Sequence, residues 1–130
     1  MATTTAAVTL TSDLLSDNMS VTASTTLMKA GTTADGLDQI EYGYVEVATG
    51  DEYDLIATTP TASKASKLFV KNHSIDETYY IAITQNAQAI GRLYGGDWMF
   101  IPWCAASGKD IEFTASDATE TTLEYTCFYE

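Results

Sequence analysis

The sequence predicts an all-β protein: an antiparallel β-sandwich, jelly-roll-like, with a Thr-rich N-terminal arm. Three observations predict it. From Gln39 onward, apolar and polar residues alternate in short runs that recur every ~8–12 residues between turn signals. No internal segment keeps the ~3.6-residue apolar period of an amphipathic helix for even three turns. No strand–helix–strand alternation is present either, which argues against a parallel nucleotide-binding sheet. At 130 residues the chain has the length of one domain and can bury roughly two thirds of its unfolded surface.

Taken in order, residues 1–38 read as a Thr-rich arm or as edge strands, and residues 39–130 as the sandwich. Ala2-Thr-Thr-Thr-Ala-Ala-Val-Thr-Leu10 and Val21-Thr-Ala-Ser-Thr-Thr-Leu27 are β-prone because Thr is β-branched, but their alternation is poor. Thr11-Ser-Asp-Leu-Leu-Ser-Asp17 opens like a helix cap and predicts one short helical turn. Ala30 to Gly36 is a loop. Ile40, Tyr42 and Tyr44 then alternate up to the turn Thr49-Gly-Asp51, and Tyr53, Leu55 and Ala57 up to Thr59-Pro60. After a Ser/Lys linker come Lys67–Lys71, Thr78–Thr84, Gln88–Tyr94, Trp98–Trp103, Asp110–Thr114 and Leu123–Tyr129, which completes about eight strands, as in a sandwich or barrel.

Charge narrows the partners. The formal net charge of −12 disfavours nucleic acid, whose affinity comes from Lys and Arg neutralising phosphate, and it repels acidic lipid. No apolar run approaches the ~20 residues of a membrane helix, and no basic segment followed by an apolar one opens the chain. The expectation is a soluble protein with no export signal and no membrane partner. Cys104 and Cys127 are the only cysteines and read as core thiols in a reducing compartment, with a bridge between them as the other reading.

Chemistry finds little to work with. The single histidine, His73, lies in a turn between Asn72 and Ser74 and reads as solvated. Carboxylates at short spacing (Asp35/Asp38, Glu41/Glu46, Asp51/Glu52/Asp54) sit around turns, where acidic β-proteins collect them by chance. Glycosidase chemistry needs two of them ~5–10 Å apart across a cleft. Gly50–Asp54 and Asp35–Asp38 offer calcium-type oxygens without matching a calcium loop. One His and two separated Cys disfavour zinc. Gly91-Arg-Leu-Tyr-Gly-Gly96 lacks the lysine and the following helix of a phosphate loop. We expect no catalytic residue, no cofactor and no metal.

The strongest signal is Ile90-Gly-Arg-Leu-Tyr-Gly-Gly-Asp-Trp-Met-Phe-Ile-Pro-Trp103, which holds both tryptophans, the only arginine and three of the eight glycines. Trp98 and Phe100 share a strand face, and Pro102 marks an edge or a strand end. Such a cluster reads as core or as an interface, because Trp, Tyr and Arg are enriched in binding hot spots. The interface candidates are Arg92, Tyr94, Trp98, Phe100 and Trp103. Arg92, a fork-shaped cation in an acidic chain, is expected to hold a carboxylate within the chain or across a subunit contact.

That segment, with Ser66–Asn72, Glu77–Thr84, Asp110–Thr114 and Thr122–Tyr125, resembles small virion proteins of tailed bacteriophages in its order of strand, polar turn, strand, Gly-rich turn, Trp-Pro, Asp-Ile strand and final strand. Gly-Arg-Leu-Tyr-Gly-Gly-Asp-Trp carries most of the likeness, which covers roughly the C-terminal half. The resemblance implies a non-catalytic virion protein, assembled in the host cytoplasm: a capsid decoration (cement) protein or a fibre or knob component. A decoration protein would be a homo-oligomer, with a trimer favoured, bound to the major capsid protein or another virion protein. The negative charge places it on the outer capsid surface, away from packaged DNA. A carbohydrate-binding module stacking sugars on Trp98, Trp103 and tyrosines is the alternative from another class.

Overall fold

The computed structural model describes residues 3–14, 19–50, 52–55, 66–103, 110–116 and 121–130. Every regular element among them is a strand. They are β1 (Thr5–Ser12), β2 (Met19–Thr26), β3 (Gln39–Val47), β4 (Tyr53–Leu55), β5 (Ser66–Asn72), β6 (Tyr80–Gln85), β7 (Gln88–Tyr94), β8 (Trp98–Pro102), β9 (Ile111–Ala115) and β10 (Thr121–Tyr129).

Strands β3 to β10 form two four-stranded antiparallel sheets, ordered β3-β10-β5-β8 and β4-β9-β6-β7. The pairs β3·β10, β4·β9, β5·β8 and β6·β7 nest inside one another along the chain. Rolling such a nested ribbon so that its strands divide between two sheets gives the eight-stranded jelly roll. Side-chain alternation enforces the register, since a one-residue slip would turn each strand inside out. In β5, Ser66, Leu68, Val70 and Asn72 are buried, while Lys67, Phe69 and Lys71 are only half-buried. Between the sheets, Leu68, Val70 and Leu123 meet Ile81, Ile83, Ile111 and Phe113. Cys127 joins this core, and burial, with the Glu41 charge as a lesser cause, pushes its thiol up to about 11. Such a thiol is inert at neutral pH. Cys104, the turn expected at Thr59-Pro60 and the linker after it lie outside the described residues.

Two connections carry particular backbone demands. The β6–β7 hairpin turns through Asn86 and Ala87, both at positive φ (50° and 59°), as a two-residue turn that matches the strand twist requires. Ala87 bears a cost there that glycine would not. The β7–β8 link crosses from one sheet to the other in three residues, Gly95–Asp97. Gly96 takes φ +86°, and a Cβ on Gly95 would lie 2.5 Å from the Asp76 carbonyl oxygen. Asn72 ties this corner together. Its buried side chain donates to the Leu93 carbonyl (2.9 Å) and accepts from the Ser74 amide (2.9 Å), while its backbone bonds Gly96 and Asp97. The glycine-rich motif is therefore the mould for a sheet-to-sheet corner.

Strands β1 and β2 pair only with each other, as a hairpin. Thr11 and Ser12 continue β1, paired to Ser20 and Met19, where the sequence predicted a helical turn. Cross-strand pairing satisfies their backbone groups, and the rest of that predicted turn, Leu15–Asp17, lies outside the described residues. The pairing sorts the weak alternation into two faces, with Ser12 and Thr25 interrupting the apolar one and Ala7 the polar one. Ala6, Val8 and Leu10 share one hairpin face with Ala23, Val21 and Met19, and Thr9, Thr11, Ser20, Thr22 and Ser24 lie on the other. Ala and Thr differ too little in hydropathy for this to stand out in the bare sequence. At the base, Leu27 and Leu37 are buried, the Leu37 amide bonds the Leu27 carbonyl, and Met28 bridges Gly36.

Candidate functional site

The outer face of the β3-β10-β5-β8 sheet is the surface that the fold leaves open and apolar. Strand alternation turns Ile40, Tyr42 and Tyr44 of β3, Phe128 of β10, Phe69 of β5 and Trp98 and Phe100 of β8 outward, opposite their core-facing neighbours. The register sorts them into rows: Ile40–Phe128–Lys67–Pro102, Tyr42–Thr126–Phe69–Phe100 and Tyr44–Glu124–Lys71–Trp98. Tyr42 is 73 % exposed, Tyr44 64 %, Ile40 56 % and Trp98 48 %. With strands ~4.8 Å apart and a rise of ~3.3 Å per residue, the patch spans about 14 by 13 Å. Exposed aromatics clustered on one sheet face, interspersed with Lys67, Lys71, Glu124 and Thr126, have the character of an interaction surface.

Its geometry is held from both sides. Behind it, the Tyr125 ring packs over Gly43, 3.0 Å from where a Cβ would stand, so that a large side chain fills the space the glycine leaves in β3. On the face, the rings of Phe69 and Trp98 lie 6.2 Å apart. The polar groups cluster at one end, where the His73 ring pairs with the Glu124 carboxylate and lies 5.8 Å from the Tyr44 ring. His73 is exposed, as the sequence predicted for a solvated residue, and is also partnered, at the edge of the patch. Thr122 donates to Glu46 nearby (2.7 Å). The hairpin leans over the other part of the face. Together they enclose a groove of about 580 Å³ lined by Thr4–Val8 and Leu27 on one side and, on the other, by Phe69, Trp98, Phe100 and Phe128 with the polar Lys71, Glu124 and Thr126.

The five interface candidates separate into three places. Trp98 and Phe100 lie on this outer face. Trp103 is 5 % exposed and belongs to the core, with its amide bonded to the Ser66 carbonyl and its carbonyl accepting the Ser66 hydroxyl. Arg92 and Tyr94 lie on the opposite outer face, where the guanidinium sits 4.3 Å above the Tyr80 ring and Tyr94 meets Tyr80 edge-on. Arg92 therefore stacks on a π face and meets no carboxylate among the described residues, in place of the ion pair expected within the chain; an ion pair across a subunit contact would involve a second copy. A cation held over an aromatic is stabilised by the ring quadrupole. The sequence reading missed Ile40, Tyr42, Tyr44, Phe69 and Phe128. Their alternation was legible; which side of the strand faced out was not.

The second sheet carries one acidic cluster. Glu52, Asp54 and Glu112 place carboxylate oxygens within 4.8 Å of one another, and Thr84 donates to Glu112 (2.5 Å). The Glu112 charge, ahead of burial and Asp54, raises the Glu52 carboxyl above its usual range. Like charges so close on a surface have the oxygen chemistry of a divalent-cation site, and here they border a strand end in water. Asp38 instead pairs with Lys29 at 2.7 Å. No helix among the described residues is long and apolar enough to cross a membrane. No family model matches the chain, and no curated protein matches it.

Proposed function

We propose that this chain is a non-catalytic component of a tailed-phage particle, a decoration protein bound to the outer surface of the capsid shell. The observation that carries the reading is the aromatic face of the β3-β10-β5-β8 sheet, where Tyr42, Tyr44 and Trp98 stand 73, 64 and 48 % exposed. Its Ile, Phe, Tyr and Trp content matches the composition of protein-interface cores. The jelly roll recurs in capsid and lectin domains, which is compatible with the reading but does not assign it, since folds host many functions. The net charge of −12 suits an exterior location, where packaged DNA is out of reach.

Mechanistically, such a protein acts by mass action: it binds the assembled shell and not its free subunits, and so stabilises the assembled state by its binding free energy. Particles with and without the chain should differ under heating and osmotic shock, the decorated ones releasing DNA at the higher temperature. Equal release temperatures, with the protein located on the tail, would turn the assignment to a fibre component.

One observation favours a second reading, glycan binding. The row Tyr44–Glu124–Lys71–Trp98 alternates aromatic platforms with polar groups, as sugar stacking requires. The two neighbouring rows carry one polar residue each, Lys67 and Thr126, against three apolar or aromatic ones, which makes the protein-docking reading the stronger one. Binding of the purified chain to a glycan array, abolished by Trp98→Ala, would favour the sugar reading.

A further inference from the structure

We propose that the β1–β2 hairpin is an exchange arm, and that its apolar outer half seats on the aromatic outer face of the β3-β10-β5-β8 sheet of a second copy of this chain. The inference takes from the preceding reading only that this face is an interface; it requires no particle.

Three observations carry it. The hairpin has an apolar stretch on one face, from Val8 and Ala23 through Leu10 and Val21 to Met19, and is covered only near its base. Ala6 and Val8 are half-buried beside the groove, whereas Leu10, Met19 and Val21, farther out on the same face, are 52, 42 and 48 % exposed. A two-stranded hairpin is at best marginally stable in water without a third layer, so that uncovered half calls for one.

Charge then selects the occupant. Strands β1 and β2, eight residues each, carry no ionisable side chain in a chain of net charge −12. Two copies repel almost everywhere except through this element. On the receiving face, Lys67 and Lys71 stand beside Glu124 and Phe128 in register, so the face itself is close to electrically balanced.

Area supplies the third argument. The sheet face, about 14 by 13 Å, falls well short of the ~800 Å² that each partner buries in a standard interface. An arm of eight residue pairs adds a strip about 26 Å long. A contact in which each copy gives an arm and receives one doubles the area of a single arm-on-face contact and still stays below that figure, so the association expected is weak and concentration-dependent. The open groove of about 580 Å³ beside Trp98 and Phe100 is where the incoming Leu10, Met19 and Val21 side chains fit.

The experiment uses the full chain, free of particles, in sedimentation equilibrium. The wild type should run as a multiple of its 14.0 kDa mass. The double variant Leu10→Asp/Val21→Asp, which charges the apolar face, should run as a monomer, and so should Trp98→Ala on the receiving face. Thr9→Asp/Thr22→Asp places the same charges, paired in the same way, on the polar face and should assemble as wild type. Far-UV circular dichroism would verify that each variant keeps its strands. A monomeric wild type, arm or face variants that assemble normally, or loss of assembly in the polar-face control would each overturn the proposal. None of these outcomes bears on whether the chain decorates a shell, which the particle experiment decides separately.

Discussion

Trp103→Ala should cost the fold about 3–5 kcal/mol, whereas Trp98→Ala, five residues earlier in the same aromatic run, should cost about 1 kcal/mol. Trp103 is buried and packs with the core of both sheets, so truncation leaves a cavity that the surrounding strands can only partly close. Its backbone also tethers Ser66, the first residue of β5, and a relaxed Trp103 segment loosens that end of the sheet. Trp98 is half-exposed, and its described aromatic contact is the Phe69 ring. Against a typical domain stability of ~5–15 kcal/mol, the first loss is a large fraction and the second is not. Denaturant titrations of the two variants measure the difference directly. Equal destabilisation would mean that Trp98 is structural, which would remove the main support for an interface on that face.

Gly95→Ala should be the most damaging of the glycine substitutions, at about 3 kcal/mol, the upper end of the cost of overpacking. The added methyl would stand 2.5 Å from the Asp76 carbonyl oxygen, with the Asp76 carbonyl carbon and the Ser74 oxygen each at 2.9 Å. These are backbone atoms and cannot swing aside. Side chains hold them as well. Asn72 accepts from the Ser74 amide, the Ser74 hydroxyl accepts from the Asp76 amide at 3.1 Å, and the Thr78 hydroxyl donates to the Asp76 carboxylate at 2.6 Å. That last bond, with the Thr78 amide, keeps the Asp76 carboxyl below its usual range. Gly91→Ala is the control, since nothing lies within 4 Å of its would-be Cβ and the residue is in a strand. It should be close to neutral. Thermal melts that rank the two variants together would contradict the corner geometry.

How far the sequence could be read follows from what period two encodes. From Gln39 on, alternation and turn residues located eight strands, and those eight are β3 to β10. Alternation assigns residues to two faces of a strand, and neither face carries a label. Ile40, Tyr42 and Tyr44 were legible as an alternating stripe and form an exposed one, because Val45 and Val47 supply the inward contacts of β3. The same ambiguity divided the Trp-Pro segment. Trp98 and Phe100 face out, and Trp103, beyond Pro102, faces in. In the hairpin the pattern was present but faint, since Ala, Ser and Thr carry little contrast. The pairing of His73 with Glu124 depends on β10 lying beside β5, a contact between residues 51 positions apart that no local motif announces. Arg92 was singled out as the only guanidinium, and its partner proved to be a neighbouring strand's tyrosine ring.

The copy number of this chain in purified particles tests the central claim most directly. Intact phage particles banded on a density gradient, with their proteins quantified by mass spectrometry, should contain the chain at a fixed, simple ratio to the major shell protein. That is the stoichiometry of a protein repeating over the capsid lattice. Absence from the particles, or a handful of copies each, would contradict the decoration reading.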